Sequence, residues 1–334
     1  MGDEMTGLEE YNISASKTPS MDIVVPCYNE KDAFPHCLKV LGELLGGLII
    51  SKKISQSSKL IFVDDGSKDN TWELINDACL KNIFVTGVKL SRNRGHQNAL
   101  LAGLSESKSD VVVSIDADLQ DDVNCIEKML DEYLKGNEIV YGVRDDRSSD
   151  SFFKRTSAKM FYSLMDKMGV NQVPNHADFR LMSRRAVDSL LNFKEQNMYL
   201  RGIVPLLGYK SSKVYYSRDA RVAGESKYPI GKMLSLAVEG ITSLTTTPLK
   251  MISALGFITC IISMITAIYA IIEKMNGSTV EGWTSVMISI IFLGGVQLLC
   301  LGVIGEYVGK IYLETKGRPR FFVEEKQGES DEVK

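Results

Sequence analysis

The stretch Val111-Val112-Val113-Ser114-Ile115-Asp116-Ala117-Asp118-Leu119-Gln120 sets the fold class of this chain. Four of its first five residues are β-branched and apolar, as in a strand buried on both faces of a parallel sheet, and the run then ends in two carboxylates. Side chains alternate along extended chain, so Asp116 and Asp118 point the same way and can converge on one cation. In open α/β sheets, ligands bind outside the carboxyl ends of the strands, where this pair falls. Carboxylate oxygens suit a hard divalent ion such as Mg²⁺ or Mn²⁺, which keeps positions open for water and for the oxygens of a diphosphate. The stretch reads as a metal-diphosphate site. Taken alone, an Asp-x-Asp at a solvated strand end is the competing reading.

On either side, short apolar runs at 23–25, 60–63, 84–90 and 138–141 alternate with helical stretches, the pattern of a parallel, doubly wound α/β sheet. Residues 71–80 and 123–134 carry apolar side chains at helical spacing, each preceded by an Asp or Asn able to cap the first turn. The first run leads into Pro26-Cys27-Tyr28-Asn29-Glu30 instead of Gly-x-Gly-x-x-Gly, which disfavours a dinucleotide site. Beyond 142 the pattern is less regular. A helix is expected at 151–168, a short strand at 178–183, and helical signals return at 185–191 and 199–207.

A net charge of −3 spread over 334 residues gives no electrostatic footprint for a nucleic-acid partner. The six cysteines lie far apart with no Cys-x-x-Cys, which points to reduced thiols and away from zinc. His36, His96 and His176 make no ligand cluster in the sequence. Residues 1–20 are polar and lack a basic segment followed by an apolar run, so a disordered leader without a secretory signal is expected.

The last third changes solvent. Residues 251–272 and 284–305 are two runs of about 22 residues without a charge, each long enough to cross a bilayer core. A buried hairpin in a soluble core is the alternative. The connecting turn holds Lys274 against Glu273 and Glu281, whereas Lys232 and Lys250 precede the first run and Lys310, Lys316, Arg318 and Arg320 follow the second. That asymmetry places both ends in the cytoplasm of an integral inner or plasma membrane protein. Residues 230–247 are amphipathic and expected to lie along the membrane surface. Gly294, Gly295, Gly302, Gly305 and Gly309 give the second run a small-residue face suited to close helix packing, which hints at a homo-oligomer.

A second acid cluster, Val63-Asp64-Asp65-Gly66-Ser67-Lys68-Asp69-Asn70-Thr71, ends another expected strand; Asp69 or Asn70 can equally be a helix cap. With Pro26 to Glu30 and Asp116 to Gln120, it gathers polar groups on one sheet edge. Leu90-Ser91-Arg92-Asn93-Arg94-Gly95-His96-Gln97, Asp178-Phe179-Arg180-Leu181-Met182, Arg201-Gly202, Gly224-Glu225-Ser226-Lys227-Tyr228, Gly305-Glu306-Tyr307 and Lys316-Gly317-Arg318-Pro319 follow in order. Together these resemble the membrane-anchored, inverting family 2 glycosyltransferases of the polyprenyl-phosphate type, the bactoprenol-phosphate glucosyltransferases and dolichol-phosphate mannose synthases. One departure is Asp121-Asp122, where relatives often carry a proline pair.

The resemblance implies a GT-A nucleotide-sugar fold at 21–229, a juxtamembrane helix at 230–248, two transmembrane helices at 249–313 and a cytoplasmic tail at 314–334. It implies that Pro26, Tyr28 and Glu30 line the nucleotide pocket, that Asp65 meets the base with Arg92 nearby, and that Asp116 and Asp118 hold metal and diphosphate with Ala117 and Gln120 beside them. Asp178 is then the acid near the reacting sugar. The implied partners are a nucleotide-sugar donor, with UDP-glucose expected, a polyprenyl phosphate acceptor and membrane lipid.

The chemistry is consistent with this. A divalent ion neutralises the charge of a departing diphosphate without proton transfer. A phosphate monoester acceptor, with its second pKa about 6, is largely ionised at neutral pH and needs little help from a base, so Asp178 is expected to orient more than deprotonate. A lipid phosphate calls for cations, for which Arg201, Arg218, Arg221 and Lys227 are candidates, although solvated basic residues are the alternative. For Arg180, pairing with a sheet-edge acid is an equal alternative. A processive polysaccharide synthase shares the fold, but Trp72 and Trp283 lack its Gln-x-x-Arg-Trp context. A non-catalytic nucleotide-sugar binding scaffold is the other rival, and it has no need of an acid beside the sugar.

Overall fold

The computed structural model describes residues 18–144, 176–196, 198–216, 245–276 and 282–328. In chain order these form β1 (Met21–Cys27), α1 (Phe34–Ile50), β2 (Leu60–Asp64), α2 (Thr71–Lys81), β3 (Val85–Leu90), α3 (His96–Glu106), β4 (Val111–Ser114), α4 (Cys125–Leu134) and β5 (Ile139–Arg144). After residue 175 come β6 (His176–Ser183), α5 (Arg184–Leu191), α6 (Leu200–Leu206), β7 (Ser211–Tyr216), α7 (Thr247–Met275), α8 (Trp283–Thr315) and β8 (Val323–Gln327).

The strands make one sheet in the order β7-β5-β6-β4-β1-β2-β3-β8. Its parallel centre, β3-β2-β1-β4, is in the register the apolar runs imply, with Val25 opposite Phe62 and Val24 opposite Ser114. Alternation along β4 explains its composition. Val111, Val113 and Ile115 pack with α1, α2 and α4 on one face, and Val112 packs with α3, α5 and α6 on the other. Buried, free Cys27, Cys37, Cys79 and Cys125 agree with reduced thiols.

The strands from 21 to 144, β1 to β5, all run the same way, as their apolar runs imply, while the full sheet is mixed. β6 runs antiparallel between β4 and β5, and β8 runs antiparallel to β3. Reversal of β6 brings its first residues, Asp178 among them, to the edge where β4 ends. β8 lies within the expected tail and covers the edge of β3, which would otherwise offer unpaired backbone groups.

α7 and α8 extend past the expected spans, to 29 and 33 residues. Within them, Thr247–Thr266 and Phe292–Thr315 are long and apolar enough to cross a membrane. Neither window is buried, and Phe257 and Phe292 are 69% and 68% exposed, so the hairpin is not a soluble core. Tyr307 Oη donates to the Thr245 carbonyl at 2.7 Å and ties α8 to the start of α7. The expected helix at 151–168 and nearly all of the amphipathic stretch at 230–247 lie outside the described residues.

Candidate active site

Three strand ends and the start of β6 build the site. After β1, Asn29 takes a left-handed φ of 55° and its side chain accepts from Lys68 N at 2.8 Å, while its own N–H donates to Ser67 Oγ at 2.9 Å. Glu30 N donates to Thr71 Oγ1 at 2.9 Å, so the loops after β1 and β2 are pinned together. Asp69 Oδ1 accepts from Thr71 N at 3.1 Å, a turn bond ahead of α2, whose N-cap residue Asn70 makes no side-chain capping bond.

Asp65 is buried and reaches the loop before α3, accepting from Arg94 N at 2.6 Å and Gly95 N at 2.8 Å. Gly66 is required where it stands. Its φ is +66°, and a Cβ would come within 2.6 Å of the Arg92 carbonyl carbon. The burial of Asp65 outweighs its two backbone hydrogen bonds and holds its carboxyl above the usual range.

The acid pair follows β4. Asp116 is half-buried and Asp118 exposed, with a turn closed by Leu119 N to the Asp116 carbonyl at 3.2 Å and Leu119 at φ 45°. Ala117 is buried beneath them, as is Gln120, whose Oε1 has no partner among the described residues. Desolvation in this concave setting, with the charges of Asp178, Asp121 and Asp118, raises the pKa of Asp116 against the opposing pull of His96. Glu30 is raised by desolvation and then by Asp118 and Asp116, so it belongs to the same acidic field.

Asp178 sits at the centre. Ser114 Oγ donates to its carbonyl at 2.5 Å, Arg180 Nη2 to its Oδ1 at 2.5 Å, and Arg201 Nη2 to its Oδ2 at 3.2 Å. His96, in the first turn of α3, places Nε2 3.4 Å from Asp116 Oδ1 and 3.6 Å from Asp178 Oδ2. Burial alone would raise the Asp178 pKa, but the His96 contact and the two guanidiniums prevail and hold it well below the usual carboxylate range. His96 is itself raised: desolvation lowers it, and the bond to Asp178 with the charges of Asp116 and Asp178 more than offsets this.

The structure thus brings together Glu30, Asp116, Asp118, Asp178 and Arg201. Pro26 is buried in β1 opposite Val63, and Tyr28 is 40% exposed beyond the strand end. Arg92 lines a cavity shared with the C-terminal tail. Arg218, Arg221 and Lys227 lie outside the described residues. Two groups were missed from sequence. His96 was passed over because no second histidine accompanies it, although it falls within the quoted Leu90 to Gln97 motif. The other is the trio of buried Asp121 and Tyr216 with partly exposed Arg144, in which Asp121 Oδ1 accepts from Arg144 Nη2 at 3.0 Å and Tyr216 Oη at 2.6 Å. The only sequence signal for it was Asp121 standing where relatives carry proline.

Among the described residues, no three His, Cys, Asp or Glu side chains come together as a self-sufficient metal cage. Two carboxylates one residue apart at the end of β4, beside the unpartnered Gln120 Oε1, fit a hard divalent ion that takes further oxygens from a diphosphate.

Comparison with known proteins places the chain. Residues 22–191 match the family described as Glycosyl transferase family 2, and residues 247–311 match the GtrB C-terminal hairpin. The chain belongs to glycosyltransferase family 2, with the GT-A fold followed by that apolar hairpin. It is 50% identical over 308 residues to the "Uncharacterized glycosyltransferase YkoT" of Bacillus subtilis (strain 168), covering 92% of this chain and 91% of the relative. It is 38% identical over 309 residues to the bactoprenol glucosyl transferase of Shigella phage SfX, covering 92% and 99%.

Proposed function

We propose that this protein transfers glucose from UDP-glucose to a polyprenyl phosphate at the cytoplasmic membrane face, with inversion, releasing UDP. The observation that carries this reading is the meeting, on one sheet edge, of the Asp116–Asp118 pair with an Asp178 held ionised by Arg180 and Arg201, in a chain that ends in an apolar hairpin. The bactoprenol glucosyl transferase relatives support the acceptor class and the sugar.

Asp116 and Asp118 would hold Mg²⁺ or Mn²⁺, which when bound neutralises charge on the departing diphosphate. Asp178 is a poor base, because the groups that fix its charge also depress its proton affinity. The acceptor needs none, since its phosphate is ionised at neutral pH. Asp178 instead holds Arg201, whose side chain is 42% exposed, at the rim where an acceptor phosphate would approach. Inversion follows from attack on the face opposite the leaving diphosphate. The pairing of β8 with β3 brings the chain back to the catalytic domain after α8, which supports two crossings with both ends on one side. Packing of α8 against a second copy through its glycines is the oligomeric contact we favour.

The test is to supply the purified protein with labelled UDP- and GDP-sugars, a polyprenyl phosphate and Mg²⁺ or Mn²⁺, and to measure label in the organic phase. Label from UDP-glucose, lost in Asp118→Asn while the variant stays folded, is expected. No lipid-linked sugar from any donor would leave a scaffold.

A further inference from the structure

After α8 the chain turns at Gly317, φ +54°, and runs back over the catalytic domain as a strap. Glu314 accepts from Gln196 N at 2.7 and 2.9 Å, and Gln196 Nε2 donates to the Arg318 carbonyl at 2.7 Å. Arg320 donates to the carbonyls of Glu195, at 2.9 Å, and Phe193. Ser91 N donates to the Phe322 carbonyl at 3.0 Å. The strap and the loop before α3 enclose a cavity of about 420 Å³.

Arg92 and Arg94 line it from the loop and Arg318 and Arg320 from the strap, with Asn98 and Gln196 between; no carboxylate is in its wall. Four guanidiniums around one space repel one another unless an anion joins them. Glu195 and Glu314 offset the charge of Arg320. Among the described residues, Arg92, Arg94 and Arg318 have no carboxylate partner, and Arg94 Nε is buried without an acceptor. A buried donor of this kind is normally satisfied. None of Asp65, Asp116, Asp118 or Asp178 lines the cavity, so it is not the acidic site.

We propose that this arginine cavity is a second anion site that takes a phosphate-bearing ligand. Planar guanidiniums match phosphate oxygens two at a time, and the volume admits a diphosphate or a phosphodiester headgroup. Two sources share that chemistry. Arg318 lies just past the end of the candidate membrane span at Thr315, within reach of an anionic lipid headgroup, and a soluble phosphate compound is the other source. Because Arg94 also donates its backbone N–H to Asp65, an occupant would brace the loop on which α3 and His96 stand.

The experiment uses the full chain in phosphatidylcholine nanodiscs with EDTA present, and reads the thermal unfolding midpoint against inorganic diphosphate. The midpoint should rise with diphosphate in the parent protein and equally in Asp118→Asn, while Arg94→Gln and Arg318→Gln each raise the half-saturating concentration roughly tenfold. No rise in the parent with either diphosphate or phosphatidylglycerol, or a rise lost in Asp118→Asn but kept in both arginine variants, overturns the proposal. Nanodiscs containing phosphatidylglycerol separate the sources. A midpoint raised by that lipid alone, and not in the double arginine variant, assigns the site to a headgroup; a response to diphosphate only assigns it to a soluble phosphate.

Discussion

Arg180 stands two residues from Asp178 on β6, on the same face of the strand, and closes an ion pair with it in which the guanidinium is 1% exposed. Arg201 takes the other carboxylate oxygen, so Asp178 is held from both sides. Its folded pKa is depressed below the unfolded value of about 3.9. The stability this contributes is therefore complete above that unfolded value and is lost as pH falls through the folded one. Urea midpoints of the parent should fall more steeply below about pH 4 than those of Asp178→Asn, which starts lower but titrates less. Parallel acid limbs would show that Asp178 is not the linked group. In turnover assays the loss in Asp178→Asn should persist at high pH; recovery there would favour a base.

The two arginines should separate in their effects. Arg180→Met leaves a buried carboxylate short of its shortest ion-pair contact and should cost about 3–5 kcal/mol, read from chemical denaturation. Arg201 is half-exposed, so Arg201→Gln should cost about 1 kcal/mol or less. Its expected mark is kinetic, with KM for the polyprenyl phosphate rising more than KM for the nucleotide sugar. Equal changes in both would remove Arg201 from the acceptor side.

Much of this was legible because buried parallel strands are nearly pure Val, Ile and Leu, which made β1 through β5 readable to within a few residues. The carboxylates that end β2 and β4 stood out against those runs. Edge strands were not legible. β7 is buried only at Val214 and Tyr216, and β8 reads Val-Glu-Glu-Lys-Gln, so neither carries an apolar run. α3 was hidden for the opposite reason, being apolar around most of its surface because it is packed on several sides. Asp178 was singled out through resemblance; its pairing with Arg180, two residues on along the same strand, follows from alternation, whereas its approach to the end of β4 and to His96 needed the reversal of β6, which no local pattern encodes. The site of His96 depends on contacts with residues 20 and 82 positions away, beyond any spacing rule.

Gly103 marks where α3 presses on the sheet. A Cβ there would stand 2.3 Å from Val24 Cγ1 and 2.9 Å from Val63 Cγ2, both fully buried. The β-branched side chains of β1 and β2 have little freedom to move aside. Gly103→Ala should destabilise the protein by about 1–3 kcal/mol through overpacking, despite the better helix propensity of alanine. A stability equal to or above the parent in urea would mean that α3 rides further from the sheet than the structure has it.

Asp121 is the deepest anchor of the loop that carries the acid pair. It is 3% exposed and accepts from both Arg144 and Tyr216, whose ring packs edge-on to Phe179 at 5.6 Å. Burial and then the Asp121 charge push the Tyr216 phenol upward, so it remains a donor at any working pH. Tyr216→Phe keeps the ring and removes that donor, at an expected cost of about 1.5–3 kcal/mol for a hydrogen bond to a charged acceptor. Asp121→Ala removes the anchor and leaves Arg144 without this partner, so it should cost more. Since Asp118 lies in the same turn, Asp121→Ala should also raise the concentration of Mg²⁺ or Mn²⁺ needed for half-maximal turnover, with Tyr216→Phe doing so less. A stability loss in both variants with an unchanged metal requirement would confine the trio to holding β5, β7 and the loop together.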